Sequence, residues 1–163
     1  MANTSCLPFL ISLNLCKNIT MCVRIKRIDK SLPLPEYKTA GAACFDFTAR
    51  VAATILPKEI IYVPLNVAIM HPESHMLIMA ARSSLHKKGL MLANSVAIGD
   101  TDFSGDEDEY RAALYNFSDK SVTVERGERI CQGFFRKYER AEWDEVEDLG
   151  NKSRGGFGST GLV

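Results

Sequence analysis

This chain of 163 residues is as informative in what it lacks as in what it carries. Its five cysteines, Cys6, Cys16, Cys22, Cys44 and Cys131, form no C-x-x-C pair and are odd in number. That argues against a disulfide framework or a zinc site and for a reducing compartment, taken here as the cytoplasm, with nucleus or organelle as variants. Net charge is also missing, because 20 basic residues meet 20 acidic ones. A protein that grips a nucleic-acid backbone carries a basic footprint, so no nucleic-acid polymer is expected as a partner. A small polyanion remains open, since two or three local cations suffice for it. Residues 7–15 are apolar, but they have neither a basic leader nor a small-residue cleavage site, and they are too few to span a bilayer. No membrane partner is therefore expected. The histidines His71, His75 and His86 stand apart and suggest no ligand set or triad. There is no repeat of long period.

What is present points to one domain. A chain of this length buries about two-thirds of its unfolded surface. Its 46% hydrophobic and 25% charged residues are ordinary for a globular protein. Residues 1–20 carry few charges and no period, and are expected to be a disordered extension or an artefact of start-site choice, with Met21 as the alternative start. Residues 21–150 make the domain, and the glycine-rich 151–163 make a flexible tail. Within the domain, 23–28 open with the alternation of a half-buried strand, and Leu32-Pro33-Leu34-Pro35 is an extended linker. Short strand candidates recur at 54–56, 60–63, 66–70, 76–80, 111–115, 122–124, 130–135 and 143–146, punctuated by proline and glycine turns. This pattern predicts an all-β sandwich or barrel. One helical turn is predicted at 83–88, with serines able to cap its start and Gly89 placed to end it.

Chemistry concentrates in a few patches. In 94–116, NSVAIGDTDFSGDEDEYRAALYN, the acids Asp100 and Asp102 alternate with Thr101 and Phe103, the period that puts both carboxylates on one face of a strand. An acid held by a strand is placed well enough to serve as a general base. The plainer reading of so acidic a run is a solvated turn. Arg82, Ser83 and Ser84 set a cation and two hydroxyls beside helix N-terminal amides, which suits an anionic oxygen; an ordinary capped helix is as good an account. Asp46 sits between Phe45 and Phe47, and Gln132 lies at the centre of a turn feeding a strand. In 152–161, glycines allow backbone N–H groups to approach phosphate, Lys152 and Arg154 supply charge, and Phe157 offers a face to a nucleobase. The GK[ST] ending of a Walker loop is absent.

In this order the patches resemble the five motifs of the trimeric dUTP diphosphatases (dUTPases): AGAACFDF (40–47), ARSSLHKKG (81–89), NSVAIGDTDFSG (94–105), GERICQ (127–132) and RGGFGSTG (154–161). The resemblance covers nearly all of 23–161. It implies a distorted jelly-roll-like β-barrel, a homotrimer with shared active sites, and Mg²⁺-assisted hydrolysis of dUTP to dUMP and pyrophosphate, which limits uracil in DNA and supplies dUMP for dTMP synthesis. By the same resemblance Asp100 activates the water that attacks the α-phosphorus. Asp46 meets the metal through its water shell, and Arg82, Ser83, Ser84 and Gln132 meet phosphate. Asn94 reads uracil together with hairpin backbone, and Phe103, in a position usually held by tyrosine, packs on deoxyribose. Lys152, Arg154, Phe157, Gly158, Ser159 and Thr160 close over the nucleotide.

Three places depart from the family pattern. The usual Gly-x-Ile-Asp reads Ala97-Ile98-Gly99-Asp100, an acidic insertion falls at 106–109, and the tail offers Lys152 five positions before Phe157 and Arg154 three before it. Two rivals compete. A dCTP deaminase needs a glutamate three residues before Asn116, where this chain has Ala113. A non-catalytic nucleotide-binding regulator would keep the fold, with a partner surface on the acidic turn or before Met21.

Overall fold

The computed structural model describes residues 21–156; the expectations for residues 1–20 and for Phe157, Gly158, Ser159 and Thr160 lie outside the described residues. Eleven strands follow in order: β1 (Arg24–Arg27), β2 (Phe45–Thr48), β3 (Ala53–Ile55), β4 (Ile60–Pro64), β5 (Val67–Met70), β6 (His75–Ala81), β7 (Leu90–Leu92), β8 (Val96–Gly99), β9 (Arg111–Asn116), β10 (Val122–Val124) and β11 (Arg129–Lys137). They assort into antiparallel sheets of order β1-β5, β3-β10, β4-β9-β7 and β2-β11-β6-β8. The all-β expectation holds, although these sheets enclose the core without closing into one continuous ladder.

Side-chain alternation explains how the sheets enclose one core. On β2, Phe45 and Phe47 turn inward while Asp46 and Thr48 stay half-exposed. Phe47 meets Ile55, Val63, Leu77, Leu114 and Ile130 in the buried cluster, and each such side chain contributes roughly 1.5–3 kcal/mol by leaving water. β9 is buried from Ala112 to Leu114, the pattern of a central strand; it lies between β4 and β7.

Several expectations are corrected. The helix at 83–88 is a 3-10 turn, Leu85–Lys88; Ser84 occupies its N-cap but makes no side-chain cap bond, and only the glycine end is as expected, with Gly89 left-handed at φ 80°. Residues 143–146 form no strand, and Trp143 is 93% exposed; nothing pairs with them, and β-branched or aromatic residues make a strand only where a neighbour can hold it. β1 exposes three of its four side chains and so is not half-buried. The strand expected to carry Asp100 and Asp102 stops at Gly99, and Thr101-Asp102 is a turn. The acidic run after it is more than a solvated turn. Glu109, its side chain 8% exposed, accepts bonds from Arg50 Nε and Nη2 at 2.7 and 2.9 Å and from the Asn66 amide at 2.8 Å. Asp108 accepts the Gly105 N–H at 2.6 Å, and Lys26 Nζ donates to the Asp106 carbonyl at 2.9 Å. The insertion is thus tied to the body through Glu109 and Asp106 and closed on itself through Asp108.

Candidate active site

Two groups of side chains stand out, and the large β2-β11-β6-β8 sheet carries both. The first is built around Asp46, which alternation leaves on the outer face of β2. Its Oδ1 accepts from Arg82 Nε at 2.9 Å and its Oδ2 from Arg129 Nη1 at 2.8 Å. Arg82, just past the end of β6, also donates to the Arg129 carbonyl at 3.3 Å. Gln132 lies opposite Asp46 in the β2-β11 register and donates to the Ala81 carbonyl at 3.0 Å. A β-bulge between Arg129 and Cys131 swings Arg129 toward Asp46. Two guanidinium groups on one carboxylate leave an excess positive charge. Each guanidinium has five N–H donors, so some remain for an anionic oxygen. Ser83 and Ser84 are exposed on the turn that follows Arg82. That turn is held down by Lys88, whose ammonium reaches both carboxylate oxygens of Glu128 at 2.7 and 2.8 Å and the Thr123 carbonyl at 2.9 Å.

The second group is strung along β8, from the turn before it to the corner after it. Asn94 occupies the turn between β7 and β8, where Ser95 adopts a left-handed φ of 60° and the Val96 N–H closes onto the Asn94 carbonyl at 2.6 Å. β8 then runs to Gly99, and Asp100 projects from the corner, exposed. Phe103 is 40% exposed and packs edge-on against Tyr110, ring centroids 5.1 Å apart. Tyr110 is buried; burial first, and then the nearby carboxylates of Asp100 and Asp108, push its hydroxyl up to about 12. Asp100 shares a hollow with Glu73, Thr101, Asp102, Tyr138 and Arg140, and Phe103 borders an adjoining, more apolar one with Tyr62, Ile98 and Tyr110. The sheet thus carries an exposed acid next to an aromatic hollow and, elsewhere, a guanidinium pair with N–H groups to spare for an anionic oxygen.

The dUTPase family model matches residues 30–161, from just after β1 into the tail. The chain belongs to the dUTPase family. A deoxyuridine 5'-triphosphate nucleotidohydrolase of Dictyoglomus turgidum is 39% identical over 147 residues, covering 86% of this chain and 98% of the relative. The crystal structure of the Streptococcus mutans dUTPase superposes with a TM-score of 0.67 at 31% identity, covering 73% of this chain and 98% of that one. A variant of the Staphylococcus bacteriophage 80alpha dUTPase, solved with dUpNHpp, superposes at a TM-score of 0.75 and 20% identity over 86% of this chain and 99% of its own, which speaks for the fold.

Within this dUTPase chain the two groups do not meet. Gly99 pairs with Leu77 on β6, whereas Arg82 follows Ala81 and Asp46 lies two strands beyond β6. With about 3.4 Å per residue along a strand and about 4.8 Å between strands, Asp100 and the Asp46–Arg82 cluster are roughly 15–20 Å apart. Asp46, Arg82 and Gln132 come together; Asp100 and Phe103 share the other end, whereas Asn94 precedes β8, where Val96 pairs with Ala80, and so lies toward the Arg82 end. Lys152 and Arg154 are exposed beyond β11, outside both groups. Among the described residues no set of three His, Cys, Asp or Glu side chains could hold a metal ion, and Asp46 already gives both its oxygens to guanidinium N–H groups. A carboxylate held in this way does not fit direct ligation of a cation. Two residues escaped the sequence reading. Arg129 lies inside GERICQ, but only the bulge reveals that it turns to Asp46. Tyr110 follows the acidic run, and its one signal was a glycine at 99 that leaves space for something large.

Proposed function

We propose that this dUTPase hydrolyses dUTP to dUMP and pyrophosphate, with Asp100 as the general base. The observation that carries the reading is the exposed carboxylate at the β8 corner, next to the aromatic slot of Phe103. Asp100 takes a proton from a water molecule, the water oxygen bonds to the α-phosphorus, and the bond to the β-phosphate bridging oxygen breaks to release pyrophosphate. Arg82, Ser83, Ser84 and Gln132 bind phosphate oxygens, and Arg129 joins them through its shared carboxylate. Asn94 and the hairpin backbone read uracil; an amino group in place of a carbonyl would leave buried partners unpaired, which discriminates strongly against cytosine. Phe103 packs on the deoxyribose and leaves no room for a 2′-hydroxyl. When bound with the triphosphate, Mg²⁺ would supply positive charge against the charge that develops on the phosphates. Asp46 would face its water shell.

The separation of Asp100 from the guanidinium cluster supports a homotrimer whose sites draw on more than one chain. A base and the phosphate contacts it serves must lie within one substrate's reach, and the positions supplied by one chain do not. The tail of a chain, with Lys152, Arg154, Phe157, Gly158, Ser159 and Thr160, would close such a site and exclude water other than the nucleophile. The test is incubation of purified protein and Mg²⁺ with dUTP, dCTP, dTTP and UTP separately, measuring both pyrophosphate and ammonia. Pyrophosphate from dUTP far above the others is expected. Ammonia from dCTP, or equal hydrolysis of all four, overturns the reading; dUTP binding without turnover turns it toward a regulator.

A further inference from the structure

Tyr110 is a polar side chain in an apolar place. It is 4% exposed, and its hydroxyl makes no hydrogen bond among the described residues. Its backbone is fixed on both sides, the N–H donating to the Val67 carbonyl at 3.0 Å and the carbonyl accepting the Leu65 N–H at 2.8 Å. The main chain that carries the ring is therefore held in place. It lies against β8, where a Cβ added to Gly99 would fall 2.4 Å from Oη, 2.8 Å from Cε1 and 2.9 Å from Cζ. No side chain at all fits there, so the glycine makes room for the phenol. Phe103 meets the ring edge-on at an interplanar angle of 79°. The residue after Gly99 is Asp100. A buried O–H without an acceptor is costly, and folded proteins seldom keep one idle.

We propose that Tyr110 is a positioning residue for the base: with substrate bound its hydroxyl donates to the Asp100 carboxylate and aims it at the water. This deepens, and rests on, the reading of Asp100 as general base. Other charged or titratable groups face this corner. Asp108 lies near the phenol, Glu73, Asp102, Tyr138 and Arg140 share the hollow of Asp100, and Glu107, Glu109 and Arg111 line the neighbouring one. Of the donors among them, Arg140 and Arg111 are exposed and Tyr138 is half-buried. Tyr110 alone is buried, with its main chain held and its proton unassigned.

Tyr110→Phe keeps the ring and removes the proton. With dUTP and Mg²⁺ its kcat should fall roughly tenfold, the value of a bond to a charged group expressed as rate, with KM within about twofold. A donor to a carboxylate favours the ionised form, so its loss should move the acidic limb of the kcat/KM profile to higher pH by about half a unit or more. Unchanged kcat and an unmoved acidic limb would reduce Tyr110 to a space filler and overturn the proposal. The double variant Gly99→Ala, Tyr110→Leu refills the same space without a donor; it should fold and share the displaced limb, and wild-type behaviour from it would likewise overturn the proposal. Failure of the unmutated protein to hydrolyse dUTP is a different result, one that removes the functional reading and this inference with it.

Discussion

The two ends of the β2-β11-β6-β8 sheet are built on opposite plans. At the Asp46 end, charge is satisfied inside the chain: a carboxylate whose side chain is 11% exposed holds Arg82 and Arg129, and Gln132 is tied to the Ala81 carbonyl. At the Asp100 end, charge is left open: the acid projects from a corner, and the Tyr110 hydroxyl packed against neighbouring Gly99 makes no hydrogen bond among the described residues. Preorganised donors suit a group that must wait for phosphate without rearranging, because reorganisation has then been completed during folding. An acid that must take a proton from water gains from the reverse, since a partner that neutralised it would also quench it. The contrast matches the proposed division of the chain into a binding half and a reacting half.

The largest expected effect breaks the reacting half. Asp100→Asn keeps shape and removes the base, so kcat for dUTP should fall roughly 10²–10⁴-fold, the usual value of general base catalysis. Nucleotide affinity, measured by calorimetry with a non-hydrolysable analogue, should change little. A variant that keeps most of its turnover would remove Asp100 from the chemistry. Next comes the separation itself. If one site takes Asp100 from one chain and Arg82 from another, Asp100→Asn and Arg82→Ala proteins, each nearly inactive, should regain activity after unfolding and refolding together. With random mixing roughly a quarter of the sites receive both wild-type residues. A mixture as dead as its parents would mean that one chain carries both.

The binding half should respond in stability as well as in rate. Asp46→Asn removes the charge shared by Arg82 and Arg129, and the lost charge-assisted bonds cost about 1–3 kcal/mol in denaturant unfolding. Asp100→Asn, at an exposed corner, should stay within about 0.5 kcal/mol of the parent. Equal losses at the two acids would contradict the difference in how their charges are held.

Much of this was legible beforehand, and the limits have physical causes. Inward alternation at Phe45 and Phe47 and the apolar run of β9 mark the core directly, because burial is a property of side-chain type and period. The motifs assigned Asp46 to a metal's water shell and Arg82 and Gln132 to phosphate, and the fold brings these three side by side. Asp100-Thr101-Asp102-Phe103 misled because a period of two says nothing about where a ladder ends, and β8 has no partner on β6 beyond Leu77. Glu109 looked solvated because its partners Arg50 and Asn66 are far away in sequence, 59 and 43 residues distant. The serine caps failed for a local reason: a four-residue 3-10 turn held by the Leu85 N–H on the Arg82 carbonyl does not need them.

The smallest effect concerns the link that anchors the phosphate-side turn, Lys88 to Glu128. Burial alone would raise the Glu128 carboxyl, but the Lys88 ammonium and the Glu125 N–H outweigh it and hold the group below its ordinary 4.5. A depressed carboxyl contributes stability that is fully present above the unfolded value and is lost as pH falls through the lower, folded value. Glu128→Gln should therefore unfold more easily than the parent near neutral pH, and the two should converge as pH drops below about 4. Lys88 and Glu128 are both partly exposed, at 35% and 27%, so the gap should stay under about 1 kcal/mol and shrink in salt. Denaturant midpoints for the parent and the Glu128→Gln variant at two pH values make the comparison, and a gap that widened toward acid would have the wrong sign for this link.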